Sequence, residues 1–215
     1  MSRTRVKICG ITRREDLAAA VAAGADAVGF VFYPQSPRFL PLTAADELAR
    51  LTPPFVTRVG LFVNADPAFV RETLAHVAID LLQFHGDEDE RYCAQFGRPF
   101  IKAARVKPGI DLLEFARAYP SAQGLLLDAW SEAFGGMGQT FDWSLIPENL
   151  PLPLILSGGL TAENVSAALA RVRPWAVDVS SGVEMAKGIK DAAKIAAFIA
   201  AVRKADDTRE RSVAR

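Results

Sequence analysis

Apolar residues along this chain gather in short runs, each followed by a turn and then by a stretch with helical spacing. The runs are "RVKICG" (5–10), "AVGFVF" (27–32), "RVGLFV" (58–63), "LLQFH" (81–85), "FIKAARV" (100–106), "GLLLDA" (124–129), "PLILSG" (153–158) and "AVDVSS" (176–181). They are rich in Val, Leu, Ile and Phe and alternate little, as strands covered on both faces do. The intervening segments carry helix punctuation. Thr12 and Glu15 read as a capping box before "DLAAAVAAG", which Gly24 ends. Asp66 followed by Pro67 opens "AFVRETLAHV" with proline in the first helical position. Thr161 opens "AENVSAALARV", with Val165, Leu169 and Val172 on one face. The last helix, "KDAAKIAAFIAAVRKA", sets Ile195, Phe198, Ile199 and Val202 at i, i+3, i+4 and i+7.

Strands alternating with helices predict an α/β fold with a parallel sheet. Closing eight such strands gives a single (β/α)8 barrel, which leaves no exposed edge. The alternative is an open doubly wound sheet. That sheet usually shows a GxGxxG turn after its first strand, and "CGITRRED" is not one. Residues 130–152 are weakly helical and rich in Gly and Pro, so they are either a functional loop or evidence against the element assignment. The barrel domain is expected over 1–205. The charged stretch "DDTRERSVAR" (206–215) reads as a disordered tail.

Composition narrows the classes. Half of the 215 residues are hydrophobic, enough for a large core. Lys and Arg total 25 and so do Asp and Glu, so there is no electrostatic footprint for nucleic acid. No apolar run approaches the roughly 18 residues that span a bilayer. The start, "MSRTRVKICG", lacks the apolar block of a signal peptide. Cys9 and Cys93 make no disulfide framework, and no CxxC or Cys/His cluster suggests a metal. The expectation is a soluble, reduced, cytoplasmic protein without nucleic-acid or membrane partners.

A barrel of this kind places its chemistry at the C-terminal ends of its strands. Those ends hold Cys9, Phe32, Asn64, His85, Asp128, Ser157 and Ser180. A lone cysteine in an apolar run is more often a small buried hydrophobe, which is how Cys93 reads. Cys9 differs in standing at a strand exit, two residues from Lys7 and therefore on the same face, where an ammonium would favour the thiolate. Asp128 follows three leucines. It is either a cap or solvated loop residue, or a general acid kept protonated by burial. "LSGGLTAEN" and "DVSSGVE" put small residues after strands seven and eight, where backbone N–H groups can approach a phosphate. Arg38, in "FYPQSPRFL", is a surface arginine or a carboxylate clamp. His85 is a satisfied histidine or a second polar wall for a substrate. "GGMGQTFDW" is a flexible stretch or a covering loop.

Taken together, "VKICGIT", "GADAVGFVFYPQSPR", "VGLFVN", "LQFHG", "LLLDA", "GGMGQTFDW", "LSGGLTAENV" and "AVDVSSGVE" resemble the phosphoribosylanthranilate isomerase family of tryptophan biosynthesis, from about Arg5 to about Val202. The resemblance implies a (β/α)8 barrel and an Amadori rearrangement of N-(5-phosphoribosyl)anthranilate, a small phosphosugar. It implies Cys9 as general base and Asp128 as general acid. It further implies Arg38 on the anthranilate carboxylate, Asp178 near the substrate, and Gly158, Gly159, Ser180, Ser181 and Gly182 around the phosphate; His85 is counted as a substrate contact on its strand-end position alone. No metal or organic cofactor is implied, and monomer and homodimer stay equally open. The chain departs from the family pattern at Met137 and in "MAKGIKD", which bears on loop details. Another phosphosugar barrel enzyme, or a non-catalytic phosphate-binding module, is the rival reading. The first would not be expected to use this cysteine, and loss of Cys9 or Asp128 would have favoured the second.

Overall fold

Side-chain parity sorts the strand residues into two sets, and that sorting builds the architecture. The structure, a computed structural model, describes residues 3–107, 109–129 and 140–213. Strands β1 (Arg5–Cys9), β2 (Ala27–Val31), β3 (Thr57–Phe62), β4 (Leu81–Phe84), β5 (Phe100–Val106), β6 (Gly124–Ala129), β7 (Leu154–Leu156) and β8 (Ala176–Val179) pair in parallel, in chain order, and close into a barrel. Helices α1 (Arg14–Ala23), α2 (Leu42–Leu51), α3 (Pro67–His76), α4 (Glu90–Ala94) and α5 (Leu112–Arg117) cover the first strands, and α6 (Val165–Val172) and α7 (Ala192–Val213) the last. Between β6 and β7 the described residues form only a short 3-10 turn, Trp143–Leu145. Residues 130–139, which include Met137 and most of the glycine-rich stretch, lie outside the described residues.

Val6, Ile8, Val28, Phe30, Phe62, Leu82, Phe84 and Phe100 belong to the outward set and form one core with the helices. Burying a side chain of this size contributes about 1.5–3 kcal/mol. The inward set fills the barrel. Ile101, Ala103, Leu126, Ile155 and Ala176 pack as one cluster, and Cys9, Val31, Leu61 and Val63 as another. Interleaved with them are polar members of the same set: Lys7, Gln83, His85, Asp128 and Asp178. The register places Lys7 beside Asp178 and Leu61 beside Gln83.

Most of the local punctuation acts as expected. Gly24 ends α1 at φ 90°, its N–H donating to the Ala20 and Val21 carbonyls. Asp66 caps α3 by accepting from Ala68 N, with Pro67 in the first turn. Ile195, Phe198, Ile199 and Val202 all turn into the core. Two expectations are corrected. Thr12 makes no capping box: its hydroxyl donates to Gly188 O at 2.5 Å, and Arg13 occupies the cap position, its side chain donating to Asp16 and capping nothing. Thr161 does not open α6, because Asn164 Oδ1 takes the Thr161 N–H and the helix begins at Val165.

The terminal helix passes the expected boundary at 205 and runs to Val213. Asp206, read from sequence as the first residue of a disordered tail, is buried and accepts from Thr4 N at 2.6 Å and Thr4 Oγ1 at 2.8 Å. A long-range anchor of this kind is invisible to composition. Among the described residues no helix is long and apolar enough to cross a membrane. Asp206→Ala removes both bonds and leaves a buried Thr4 N–H unpaired, so unfolding free energy should fall by about 1–3 kcal/mol in a urea titration. An unchanged midpoint would show that the helix end is not fastened there.

Candidate active site

The strand ends bring together four clusters, two built by inward-facing strand residues and two by the segments that follow the strands. The first is built by β1, β2 and β8. Lys7 Nζ donates to Asp178 Oδ1 at 2.8 Å, with both side chains at most 6 % exposed. One turn of the pleat higher stands Cys9, a free and buried thiol. It has room because Gly29, its partner in register, lacks a side chain: a Cβ there would lie 2.9 Å from Cys9 Sγ and 3.2 Å from Lys7 Cε. Burial alone would pull the Lys7 ammonium down, but the Asp178 carboxylate and Cys9 hold it above its ordinary value. Burial pushes the Cys9 thiol up. Lys7 pulls it down, Asp178 pushes it up again, and the thiol stands above its ordinary value. Lys7 was expected to favour the thiolate, and it does pull in that direction; its charge is shared with Asp178, and burial outweighs what remains.

The second cluster joins β4 to β6. His85 Nε2 lies 3.1 Å from Asp128 Oδ2, and His85 Nδ1 lies 3.0 Å from Gln83 Nε2. Asp128 Oδ1 accepts from Ala129 N at 2.9 Å. The loop that carries His85 is clamped from behind. Lys102, buried on the outward face of β5, donates to Phe84 O, Gly86 O and Glu88 Oε2, while Glu88 accepts from Asn64 N and Gly86 N. A buried ion pair with this many hydrogen bonds is satisfied rather than catalytic. Cys93 sits beside it, its Sγ 4.0 Å from Glu88 O and buried, as expected for filler.

A third cluster surrounds Arg38. Its Nε and Nη2 donate to Glu184 Oε1 and Oε2 at 2.7 and 2.8 Å. Lys190 Nζ donates to Glu184 Oε1, Ser180 O and Ser180 Oγ, and Ser180 Oγ donates to Cys9 O at 3.1 Å. Burial pushes Glu184 up, but Arg38 and Lys190 outweigh it and hold the carboxylate below its ordinary range. Glu184 and Lys190 belong to a small antiparallel hairpin of β9 (Glu184–Ala186) and β10 (Ile189–Lys190). Gly10, at φ 75°, lets the arginine stem pass: a Cβ there would be 2.5 Å from Arg38 Cδ.

The last cluster is backbone. Gly158 and Gly159 take φ 84° and 61°, a left-handed pair that other residues resist. Asn164 Nδ2 donates to Gly159 O at 2.9 Å and holds the turn. A Cβ on Gly158 would lie 3.1 Å from Asp128 Oδ1, and one on Gly182 would lie 1.9 Å from Leu160 O. The turns after β7 and β8 are therefore in contact, and the first of them borders the Asp128 carboxyl.

The family model for N-(5'phosphoribosyl)anthranilate (PRA) isomerase matches residues 6–201. This chain belongs to the PRA isomerase family. A protein of Dechloromonas aromatica named N-(5'-phosphoribosyl)anthranilate isomerase is 64% identical over 206 residues, covering 96% of this chain and 99% of its own length. Among solved structures, monomers of the dimeric phosphoribosylanthranilate isomerase of Thermotoga maritima superpose with a TM-score of 0.84 at 40% identity, covering 94% of this chain and 99% of that one. A phosphoribosyl anthranilate isomerase in complex with reduced 1-(o-carboxyphenylamino)-1-deoxyribulose 5-phosphate superposes with a TM-score of 0.84 at 41% identity, with the same coverage.

Every site residue expected from the sequence falls at this one barrel mouth, but the partners differ from those foreseen. Asp178 holds Lys7, Arg38 grips Glu184, and His85 bonds Asp128. Gln83, Gly29, Glu184 and Lys190 were missed. Strand parity could have flagged Gln83, two residues before His85, and Gly29 as a register neighbour is visible only once β1 and β2 are paired. Within this PRA isomerase relative the Cys9 environment makes a signed prediction. Removing the Asp178 charge favours the thiolate, so Asp178→Asn should lower the Cys9 titration midpoint, while Lys7→Met should raise it. Thiolate absorbance against pH, in a Cys93→Ala background, checks both. The opposite order would mean that other charges govern Cys9.

Proposed function

We propose that this chain catalyses the Amadori rearrangement of N-(5-phosphoribosyl)anthranilate to 1-(2-carboxyphenylamino)-1-deoxyribulose 5-phosphate, with Cys9 as general base and Asp128 as general acid. The observation that carries the reading is the pairing of roles at one mouth: a reduced thiol at the exit of β1 and a histidine-bonded carboxyl at the exit of β6, in a chain of the PRA isomerase family.

The chemistry divides into two proton transfers. Asp128 protonates the furanose ring oxygen, the C1′–O bond breaks, and the nitrogen lone pair forms the C1′=N bond of a Schiff base. The Cys9 thiolate then takes the proton from C2′, leaving an enolamine that tautomerises to the ketone. One group must be ionised and the other protonated at one pH, the division expected of an acid/base pair. The Lys7–Asp178 pair stands below Cys9 and sets the field in which the thiol ionises. Arg38 uses Nε and Nη2 on Glu184, which leaves its Nη1 edge for the anthranilate carboxylate. A planar fork serves two carboxylates at once more readily than an ammonium would. The touching turns around Gly158, Gly159, Ser180, Ser181 and Gly182 offer backbone N–H groups to the 5-phosphate. For assembly, the dimeric Thermotoga maritima relative makes a homodimer the state to test by light scattering.

The deciding experiment follows fluorescence as freshly generated phosphoribosylanthranilate is consumed. Cys9→Ala should lower kcat by about 10² to 10⁴ while the fold is retained, the usual contribution of a positioned base. Turnover within about twofold of the parent would remove Cys9 from the mechanism. Inorganic phosphate should compete with substrate. Gly159→Ala should raise KM more than it lowers kcat, because phosphate is held equally in ground and transition states. Non-competitive inhibition would place the phosphate elsewhere.

A further inference from the structure

Gln83 has no part in the proton transfers above, yet it reaches them through His85. The side chain is fully buried. Its Nε2 lies 3.0 Å from His85 Nδ1, and its Oε1 meets no partner among the described residues. A histidine that accepts at Nδ1 carries its proton on Nε2. Turning the amide over would put Oε1 against Nδ1 and leave both amide N–H donors where no acceptor stands. Buried orphan donors are rarer than under-used carbonyl oxygens, which favours the orientation described. His85 then donates from Nε2 to Asp128 Oδ2 across 3.1 Å.

This bond has a consequence for the acid. Each Asp128 oxygen accepts one N–H, Oδ2 from His85 Nε2 and Oδ1 from Ala129 N at 2.9 Å, and Oδ1 borders Gly158, where a Cβ would come within 3.1 Å. A His85 with its proton on Nδ1 would instead turn a ring lone pair toward Oδ2, accept the carboxyl proton there and withhold it from the substrate.

We propose that Gln83 and His85 are positioning residues that keep the Asp128 proton free for transfer. Gln83 holds His85 in the Nε2–H tautomer. His85 then donates to Oδ2 and has no lone pair with which to capture the carboxyl proton. The carboxyl O–H bond breaks, a bond from that hydrogen to the ring oxygen forms, and the carboxylate left behind keeps two donors already in place, His85 Nε2 and Ala129 N. Donors fixed where charge develops need no reorganisation as the proton leaves. The inference rests on Asp128 being the general acid.

The chain has only two histidines, and the other, His76, lies on α3 with Nδ1 at 2.8 Å from Glu72 O, so ¹⁵N NMR separates them once His76→Gln is used for assignment. At pH 8, His85 should show its proton on Nε2 and a lone pair on Nδ1. Gln83→Glu, with its carboxyl ionised, offers Nδ1 only an acceptor, so the proton should move to Nδ1. Its kcat should fall by about 10²-fold with KM within about twofold, a loss confined to the chemical step. His85→Gln, which keeps an amide N–H facing Asp128, should retain most of the turnover that His85→Leu loses. An Nδ1–H tautomer in the unsubstituted protein overturns the inference whatever the activity, and needs no variant to fold. Gln83→Glu turnover within about twofold of the parent overturns it too. Failure of the unsubstituted chain to isomerise phosphoribosylanthranilate would instead remove the acid role of Asp128, while the NMR result would stand by itself.

Discussion

Inside a closed parallel barrel a buried polar group without a partner is costly, so the charged groups there are each met by another group of the protein. An isolated charge there would be several kcal/mol too expensive to keep. This constraint organises the site more than any single catalytic residue does. Lys7 is tolerated because Asp178 meets it at 2.8 Å. Arg38 and Lys190 are tolerated because both meet Glu184. His85 is bonded on both ring nitrogens. Each of these groups is immobilised by the pairing that makes its burial possible.

Immobilisation and chemistry are therefore linked. A thiol with water around it would titrate by itself, whereas Cys9 is pushed up by burial and then pulled both ways by Lys7 and Asp178. The two charges cannot be treated as one activating ammonium. What reaches the thiol is the difference between two opposed charges, with Lys7 pulling down harder than Asp178 pushes up. The missing side chain of Gly29 is the matching steric condition, since a methyl group there would press on the sulfur and the Lys7 stem together.

The rim shows the same economy at the backbone level. Left-handed glycines after β7, the contact between Gly182 and Leu160 O, and Asn164 bridging its own loop fix two turns that have no hydrophobic core of their own. On the opposite side, the Lys102–Glu88 pair lies outside the barrel wall and holds the loop that presents His85. Rigid support is thus supplied from behind the strands, which leaves the inward face for the polar groups.

The order of the eight strands, their two-sided burial and the gathering of Cys9, His85, Asp128 and the small-residue turns at one mouth were legible in the sequence, because hydrophobic period and chain order are local properties and barrel topology orders the rest. The motifs of the PRA isomerase family were legible for the same reason. Partnerships were not. Lys7 and Asp178 are 171 positions apart, Arg38 and Glu184 are 146, and Thr4 and Asp206 are 202. Thr12 read as a helix cap and instead bonds Gly188 across 176 positions. Local pattern decides which face a side chain takes. Which charge waits on that face is decided only when the barrel closes and brings distant strands into register.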